Sequence, residues 1–400
     1  MDSALGVQCT GRLDAGKWIN LPLLLAAGAA VGALLLRATC APGWLVLGVA
    51  AAVAANPVAL GQLISGYVDG PLGATLTVFA AALGLVAWCG ERRAWWLLGA
   101  SLWFAMNVKQ SGVAYAALLC AITLGVTAWR TSLPVAARTA GLLFGLGLVG
   151  AGVFGYSPYV QNILNHRHPF YPLVGAEKYD MVGPRRPPNL PALWPAAYFM
   201  AQFARTDPPQ HEALPVEFKF PLALYGDETQ AWASTDPKSG GFGPFYGAML
   251  LLGLGGAVAW ARAFGAGSAA GLVLAGGLGV LLTCSHYMCW WARYVPQGWW
   301  LAWIVPVAAL GVATPAWRRF TAIAVAIAAV NGAIVLGSTL ILQGEQGGFL
   351  RNSVRAAAAA RTPLIIHTAE LPVLGANSFE WAGIFYRFNR RGQVVEIRRG

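Results

Sequence analysis

Charge is scarce in this chain. Only 11% of its 400 residues are Asp, Glu, Lys or Arg, against about a quarter in soluble domains, which excludes an ordinary water-soluble globule. Acid is the scarcer sign, with 16 Asp and Glu beside 27 Lys and Arg for a net charge of +11. Cysteine is sparse too: the 6 Cys have no metal-ligand spacing. Cys40, Cys89, Cys120 and Cys284 lie in or beside apolar runs, where they read as small hydrophobes, and only Cys9 and Cys289 fall in polar stretches, so a disulfide framework has no support. Met1–Asn20 is polar and mixed and lacks the order of a cleavable leader. No GxxxxGK[ST] motif occurs: GGFGPF, at Gly240–Phe245, is a Gly-rich helix entry rather than a phosphate loop, and no nucleotide is expected as a cofactor.

What is abundant is apolar surface. Hydrophobic residues make up 57% of the chain, and the mean hydropathy is +0.56. Runs long enough to cross, or nearly cross, a bilayer cover Ile19–Leu36, Gly43–Leu63, Leu72–Cys89, Trp95–Met106, Gly112–Trp129, Ala140–Tyr156, Phe242–Ala261, Ala269–Cys284, Gly298–Val312 and Phe320–Leu342. The expected fold is therefore an all-α polytopic membrane protein with about ten transmembrane helices, several rich in Gly and Ala and so suited to close packing in lipid. A polar segment 1–18 precedes a first bundle, 19–156. A long Pro-rich outer loop, 157–241, separates it from a second bundle, 242–342. A short outer tail, 343–400, follows, in which IFYRF and QVVEI flank Asn389–Gly392 as a β-hairpin. No repeat of fixed period is present.

In a soluble protein a charge of +11 would suggest nucleic acid. Here the cations sit between apolar runs, so membrane lipid is the expected partner and nucleic acid is not. Arg37, Arg92, Arg93, Arg130, Arg138, Arg262, Arg318 and Arg319 share one set of helix ends, while the short loops at the other set hold only Lys109 and Arg293. The positive-inside rule makes the first set cytoplasmic. Among the acids only Glu91 then lies inside, and every His lies outside or at the outer boundary. Whatever chemistry the chain performs faces away from ATP.

Four polar constellations collect on that outer side. Asp69, in QLISGYVDG, is either the N-cap of the next helix or a boundary carboxylate able to act as a base or to hold a divalent cation. Lys109, in Asn107–Ser111, is either a snorkelling turn residue or a point charge for a phosphate. The stretch SPYVQNILNHRHPFYPLVG places Asn162, Asn165, His166, His168 and Tyr171 at the headgroups. Pro158, Pro169 and Pro172 are expected to bend it away from its membrane helix, with Tyr159, Phe170 and Tyr171 settling in the interface. His166-x-His168 lacks a third ligand, so no metal site is assigned. The loop SHYMCWWARYVPQGWW carries His286, Arg293 and Tyr294; its Trp read as interface anchors, whereas Arg293 suits a bidentate anionic partner. Glu217, Asp227, Glu228 and Asp236 in the long loop are candidate second carboxylates, although most loop acids are merely solvated.

The order N…N…HPFYP, GGFGPF and ARYVPQ, running from about Asn56 to Val312, resembles the polytopic C-type glycosyltransferases of bacteria. The resemblance implies transfer of a sugar from a polyprenyl-phosphate carrier to an envelope glycan, lipid or protein acceptor at the outer (periplasmic or extracellular) face of the inner membrane. It implies Arg293 as holder of the carrier phosphate with Lys109 assisting, Tyr171 and Asn162–His168 as the cleft with His286 and Tyr294 near it, and Asp69 or Asp14 as the catalytic carboxylate; a divalent cation stays open. The sequence departs from the family in having no helix before the first loop, where the acid usually lies. On this resemblance Asp14 is the remnant of that loop or the acid is missing altogether, and the chain is truncated, a split subunit whose partner supplies the segment, or a relative that has lost catalysis. A flippase or transporter for a lipid-linked saccharide, or a non-catalytic component of such a pathway, is the alternative.

Overall fold

The computed structural model describes residues 17–171, 174–175, 186–206, 214–232, 235–359, 364–367 and 395–398. The chain divides into two compact units, Lys17–Thr339 and a smaller one made of Met1–Gly16 with Leu340–Gly400.

The large unit is helical. It contains α1 (Asn20–Ala38), α2 (Gly43–Ala54), the short α3 (Pro57–Gly61), α4 (Asp69–Ala87), α5 (Ala94–Val108), α6 (Gln110–Arg130) and α7 (Leu133–Val149). Two π turns, Gly150–Phe154 and Tyr156–Gln161, lead into α8 (Asn162–His166). The long loop contributes α9 (Trp194–Gln202) and α10 (Gly226–Ala231), followed by α11 (Tyr246–Cys284), α12 (Ile304–Ala309) and α13 (Pro315–Ala359), which continues past Thr339. Among the described residues six helices are long and apolar enough to cross a membrane, while α2 and α5 are apolar but shorter.

The ten expected runs map onto these elements with two revisions. The second run breaks at Asn56–Pro57, because Pro57 has no N–H to give to α2 and Asn56 instead caps α3, its side chain accepting from the Val58 N–H at 3.0 Å. The ninth run is a 3-10 helix, Pro296–Trp303, and then the six-residue α12; it packs inside the molecule. The seventh and eighth runs are two helices, as expected; they are labelled together as α11 and are joined by a kink at Gly265 (φ 78°, ψ 173°). Such a backbone conformation belongs to glycine. It folds α11 back on itself: Tyr246, at its start, donates to the Gly298 carbonyl at 2.5 Å, and Leu282, near its end, accepts from Gln297 Nε2 at 3.3 Å. A straight helix would hold those ends about 50 Å apart at 1.5 Å per residue.

The core lies where α1, α2, α4 and the 3-10 segment meet, around Val46, Val49, Leu72, Leu76, Trp299 and Trp303. Gly28 and Gly32 on α1 face Ala54 and Ala50 on α2, the small-residue contact that lets helices approach in lipid. The outward faces stay apolar: Leu25, Trp96, Phe144, Leu254 and Val273 are all more than 60% exposed, which suits hydrocarbon and not water. The Trp expected at the interface are instead interior, with Trp290, Trp291 and Trp299 fully buried. Cys40 is exposed rather than buried.

The bend expected at Pro158 is also displaced. The helix passes through Pro158 as π turns, whose looser ring tolerates the missing N–H, and the chain turns only at Arg167 (φ 57°). Tyr159 is buried, its hydroxyl donating to the Met106 carbonyl.

In the smaller unit, β1 (Leu364–His367) pairs in parallel with β2 (Val395–Arg398), Leu364 opposite Val395. The turn and first arm of the expected hairpin lie outside the described residues. Its second arm is β2, and the described partner is the distant β1, reached by the long connection that parallel strands require.

Candidate functional site

One end of the large unit gathers most of the polar side chains. Asp69 opens α4 as its first helical residue, so of the two readings open in the sequence the N-cap is not the one observed; Val68 holds that place. The preceding loop is fixed by Gln62, whose Oε1 accepts from the Gly70 N–H at 2.7 Å and whose Nε2 donates to the Thr235 carbonyl at 3.1 Å. Asn20, at the start of α1, donates to the carbonyls of Gln62, Leu63 and Ser65. Lys109 is the single extended residue (φ −155°, ψ 141°) between α5 and α6. Arg293 lies on the 3-10 turn Ala292–Tyr294, which is held from two sides: Asn56 Nδ2 donates to Pro296 O at 2.8 Å, and Tyr115 Oη to Tyr294 O at 2.6 Å.

These supports bring two cations to one ring. Lys109 Nζ lies 4.3 Å from the Tyr294 ring centre and forms an ion pair with Asp69. Arg293 sits 4.9 Å from the same ring, 4.7 Å from Trp291 and 5.7 Å from Tyr67, distances at which cation–π attraction is effective. Its Nη1 is 2.8 Å from Asp236 Oδ2, and its Nη2 donates to Tyr294 Oη at 2.9 Å. Asp236 also accepts from Trp291 Nε1 at 2.8 Å. Burial pulls the Arg293 guanidinium toward the neutral form, but the carboxylates of Asp236 and Asp69 outweigh it and hold the group above its ordinary value. Arg293 Nε has no hydrogen-bond partner among the described residues. The cage is thus formally neutral, two carboxylates against two cations, with one guanidinium donor unspent.

His286 joins this cage from the side. Its ring stacks between Tyr287 and Tyr294, at 5.1 and 5.3 Å, and its Nδ1 accepts from the Met288 N–H at 3.1 Å, which places the proton of the neutral ring on Nε2. Burial, reinforced by Lys109 and opposed by Asp69, lowers its pKa to about 4. Unfolded histidine binds a proton near pH 6.5, so stability is full above that value and is lost as pH falls toward 4, by up to about 3 kcal/mol. Thermal unfolding of His286→Asn should lose most of that dependence between pH 6.5 and 4; an unchanged slope would place the titrating group elsewhere.

The HPFYP side of the expected cleft adjoins the cage through Gln110, whose Nε2 donates to the Tyr171 carbonyl at 3.0 Å. His166 stacks on Tyr171 at 3.6 Å. Asn162 spends its amide on the carbonyls of Tyr171 and Pro169, and His168 Nδ1 accepts from the Phe170 N–H, so both shape the turn. Asn165 is exposed, and Asp14 lies outside the described residues. Among the described residues no three His, Cys, Asp or Glu converge to hold a metal ion.

Sequence reasoning placed Asp236 only among four undifferentiated loop acids. The structure separates them. Glu217 and Asp227 are exposed partners of Arg205, Glu228 is buried against Lys219, and Asp236 belongs to the cage. The signal was its place, in TDPKSGGFGPF, just before an apolar helix. Tyr67, Trp291 and Gln62 had no signal beyond adjacency to Asp69 and Arg293.

No family model, no curated protein and no solved structure matches the chain.

Proposed function

We propose that this protein is an integral membrane glycosyltransferase that moves a sugar from a polyprenyl-phosphate carrier to an envelope acceptor at the outer face of the inner membrane. The observation that carries the reading is the pairing of Lys109 and Arg293 around the Tyr294 ring, each with a carboxylate, at one end of the helices. That end is opposite the one where Arg37 pairs with Glu91, since Asp69 and Glu91 flank the 19-residue α4. The spacing is about 28 Å, close to the hydrocarbon thickness of a bilayer. The likeness of HPFYP, GGFGPF and ARYVPQ to the C-type enzymes supports the same assignment, and a divalent cation is not required by any step below.

In this reading Asp69 accepts the proton of the acceptor hydroxyl. The acceptor oxygen forms its bond to the anomeric carbon as the bond from that carbon to the phosphate oxygen breaks. The electron pair leaves with the carrier phosphate, whose growing charge Arg293 and Lys109 take up. Purified protein in nanodiscs, given a panel of polyprenyl-phosphate sugars with an acceptor alcohol, or with water as the acceptor oxygen in its absence, should release free carrier phosphate. Arg293→Ala should lower that release roughly a hundredfold to a thousandfold. No release from any donor by folded protein that still retains carrier lipid would count against the enzyme.

A transporter of lipid-linked saccharide is the second reading. It is favoured by the interruption at Asn56–Pro57, because broken helices line substrate sites in transporters. Movement of a labelled lipid-linked sugar across the bilayer without bond cleavage would select it.

A further inference from the structure

Resting on the phosphate reading above, we infer that an anionic headgroup enters the cage by exchange: it takes Lys109 away from Asp69, while the Arg293–Asp236 pair stays closed. The starting point is the charge count. With Asp69 and Asp236 already neutralising Lys109 and Arg293, a phosphate added to the intact cage would face two carboxylates and no net attraction. One pair has to open.

The two pairs are not equally held. Asp236 is fixed on both oxygens, by Arg293 Nη1 on one and by Trp291 Nε1 on the other, each at 2.8 Å. Arg293 is itself clamped by the Tyr294 hydroxyl and the Trp291 ring. Asp69 has the Lys109 ammonium on one oxygen and only a long 3.5 Å approach from Gln62 on the other. Lys109 is a point charge on a flexible stem with a side chain 22% exposed, against 4% for Asp69, so the cation can turn toward an entering ligand while the carboxylate stays. The unspent Arg293 Nε supplies the second donor.

Exchange ties the two halves of the chemistry together. While Lys109 holds Asp69, its ammonium occupies the carboxylate oxygen that the acceptor hydroxyl would need. Once the phosphate has taken Lys109, that oxygen is open to the hydroxyl. The base is switched on by the donor's own phosphate, so an empty site does not activate water.

The prediction has opposite signs at the two acids. Binding of radiolabelled farnesyl phosphate, with farnesol as the uncharged control, is measured on full-length protein in nanodiscs. Asp69→Asn should bind about tenfold tighter, because Lys109 no longer has a competing anion, and Asp236→Asn about tenfold weaker, because Arg293 loses its hold. Asp69→Ser gives a second readout should the Asn variant not fold, and thermal unfolding reports folding for each. Equal tightening in both variants would reduce the effect to plain charge and overturn the exchange. Unchanged binding in both acid variants, with loss in Arg293→Ala, would also overturn it while leaving the phosphate reading intact. Wild-type protein that does not distinguish farnesyl phosphate from farnesol would overturn the phosphate reading itself.

Discussion

Glu228→Ala is expected to cost about 3–5 kcal/mol of stability, the amount lost when one partner of a buried ion pair is removed. Glu228 Oε1 lies 2.5 Å from Lys219 Nζ, with the two side chains 1% and 3% exposed. The same carboxylate accepts from the backbone N–H of Thr206 at 2.9 Å and of Tyr225 at 3.0 Å. Three loop segments therefore close on one group. Burial already lowers the Lys219 pKa against the opposing pull of Glu228, and truncation would leave that ammonium with neither water nor carboxylate. Glu228→Gln keeps one acceptor oxygen, enough for the Thr206 or the Tyr225 N–H but not for both, so Glu228→Gln with Lys219→Met should recover only part of the loss. Thermal unfolding and limited proteolysis of the loop would measure it, and a Glu228→Ala protein within about 1 kcal/mol of wild type would show the pair to be dispensable.

Gly112→Ala should be nearly as damaging, and it reaches the candidate site directly. A Cβ built at Gly112 would lie 2.1 Å from the Ala105 carbonyl oxygen and 3.0 Å from Leu72 Cδ1. The first neighbour is backbone and cannot rotate away. With only Lys109 between α5 and α6, the two helices cross at contact distance, and a methyl group there forces them apart. The strain should amount to about 3 kcal/mol or more. Protein that still folds should have Lys109 displaced from Asp69, with carrier-phosphate release reduced along with it. Wild-type stability and release together would show that the crossing relaxes without moving Lys109.

The helical class and the gathering of Asp69, Lys109 and Arg293 at one set of helix ends could be read from the sequence because both depend on local properties. Apolar runs fix helices, and the segregation of Arg37, Arg92 and Arg130 from Asp69, Lys109 and Arg293 fixes which ends hold polar chemistry. The number of crossings was less legible. Hydropathy does not separate Gly298–Val312, buried by protein, from a span buried by lipid. Asp236 and Glu228 were obscured for a different reason: whether a loop acid is solvated or buried depends on partners far away in the chain, here Arg293 and Lys219. For the same reason the sequence could assign Trp290, Trp291 and Trp299 to the interface when tertiary packing places them inside.

The contacts that close the cage also set an order in time. Asn56 reaches Pro296 across 240 residues, and Trp299 donates to the Ala52 carbonyl across 247. At a synthesis rate of about 5–20 residues per second, the break in α2 waits roughly ten to fifty seconds for its partner to leave the ribosome. During that interval Asp69 and Lys109 are already made and Arg293 is not. The nascent chain therefore passes through a stage in which the Asp69–Lys109 half of the ionic cage exists and the Arg293–Asp236 half does not.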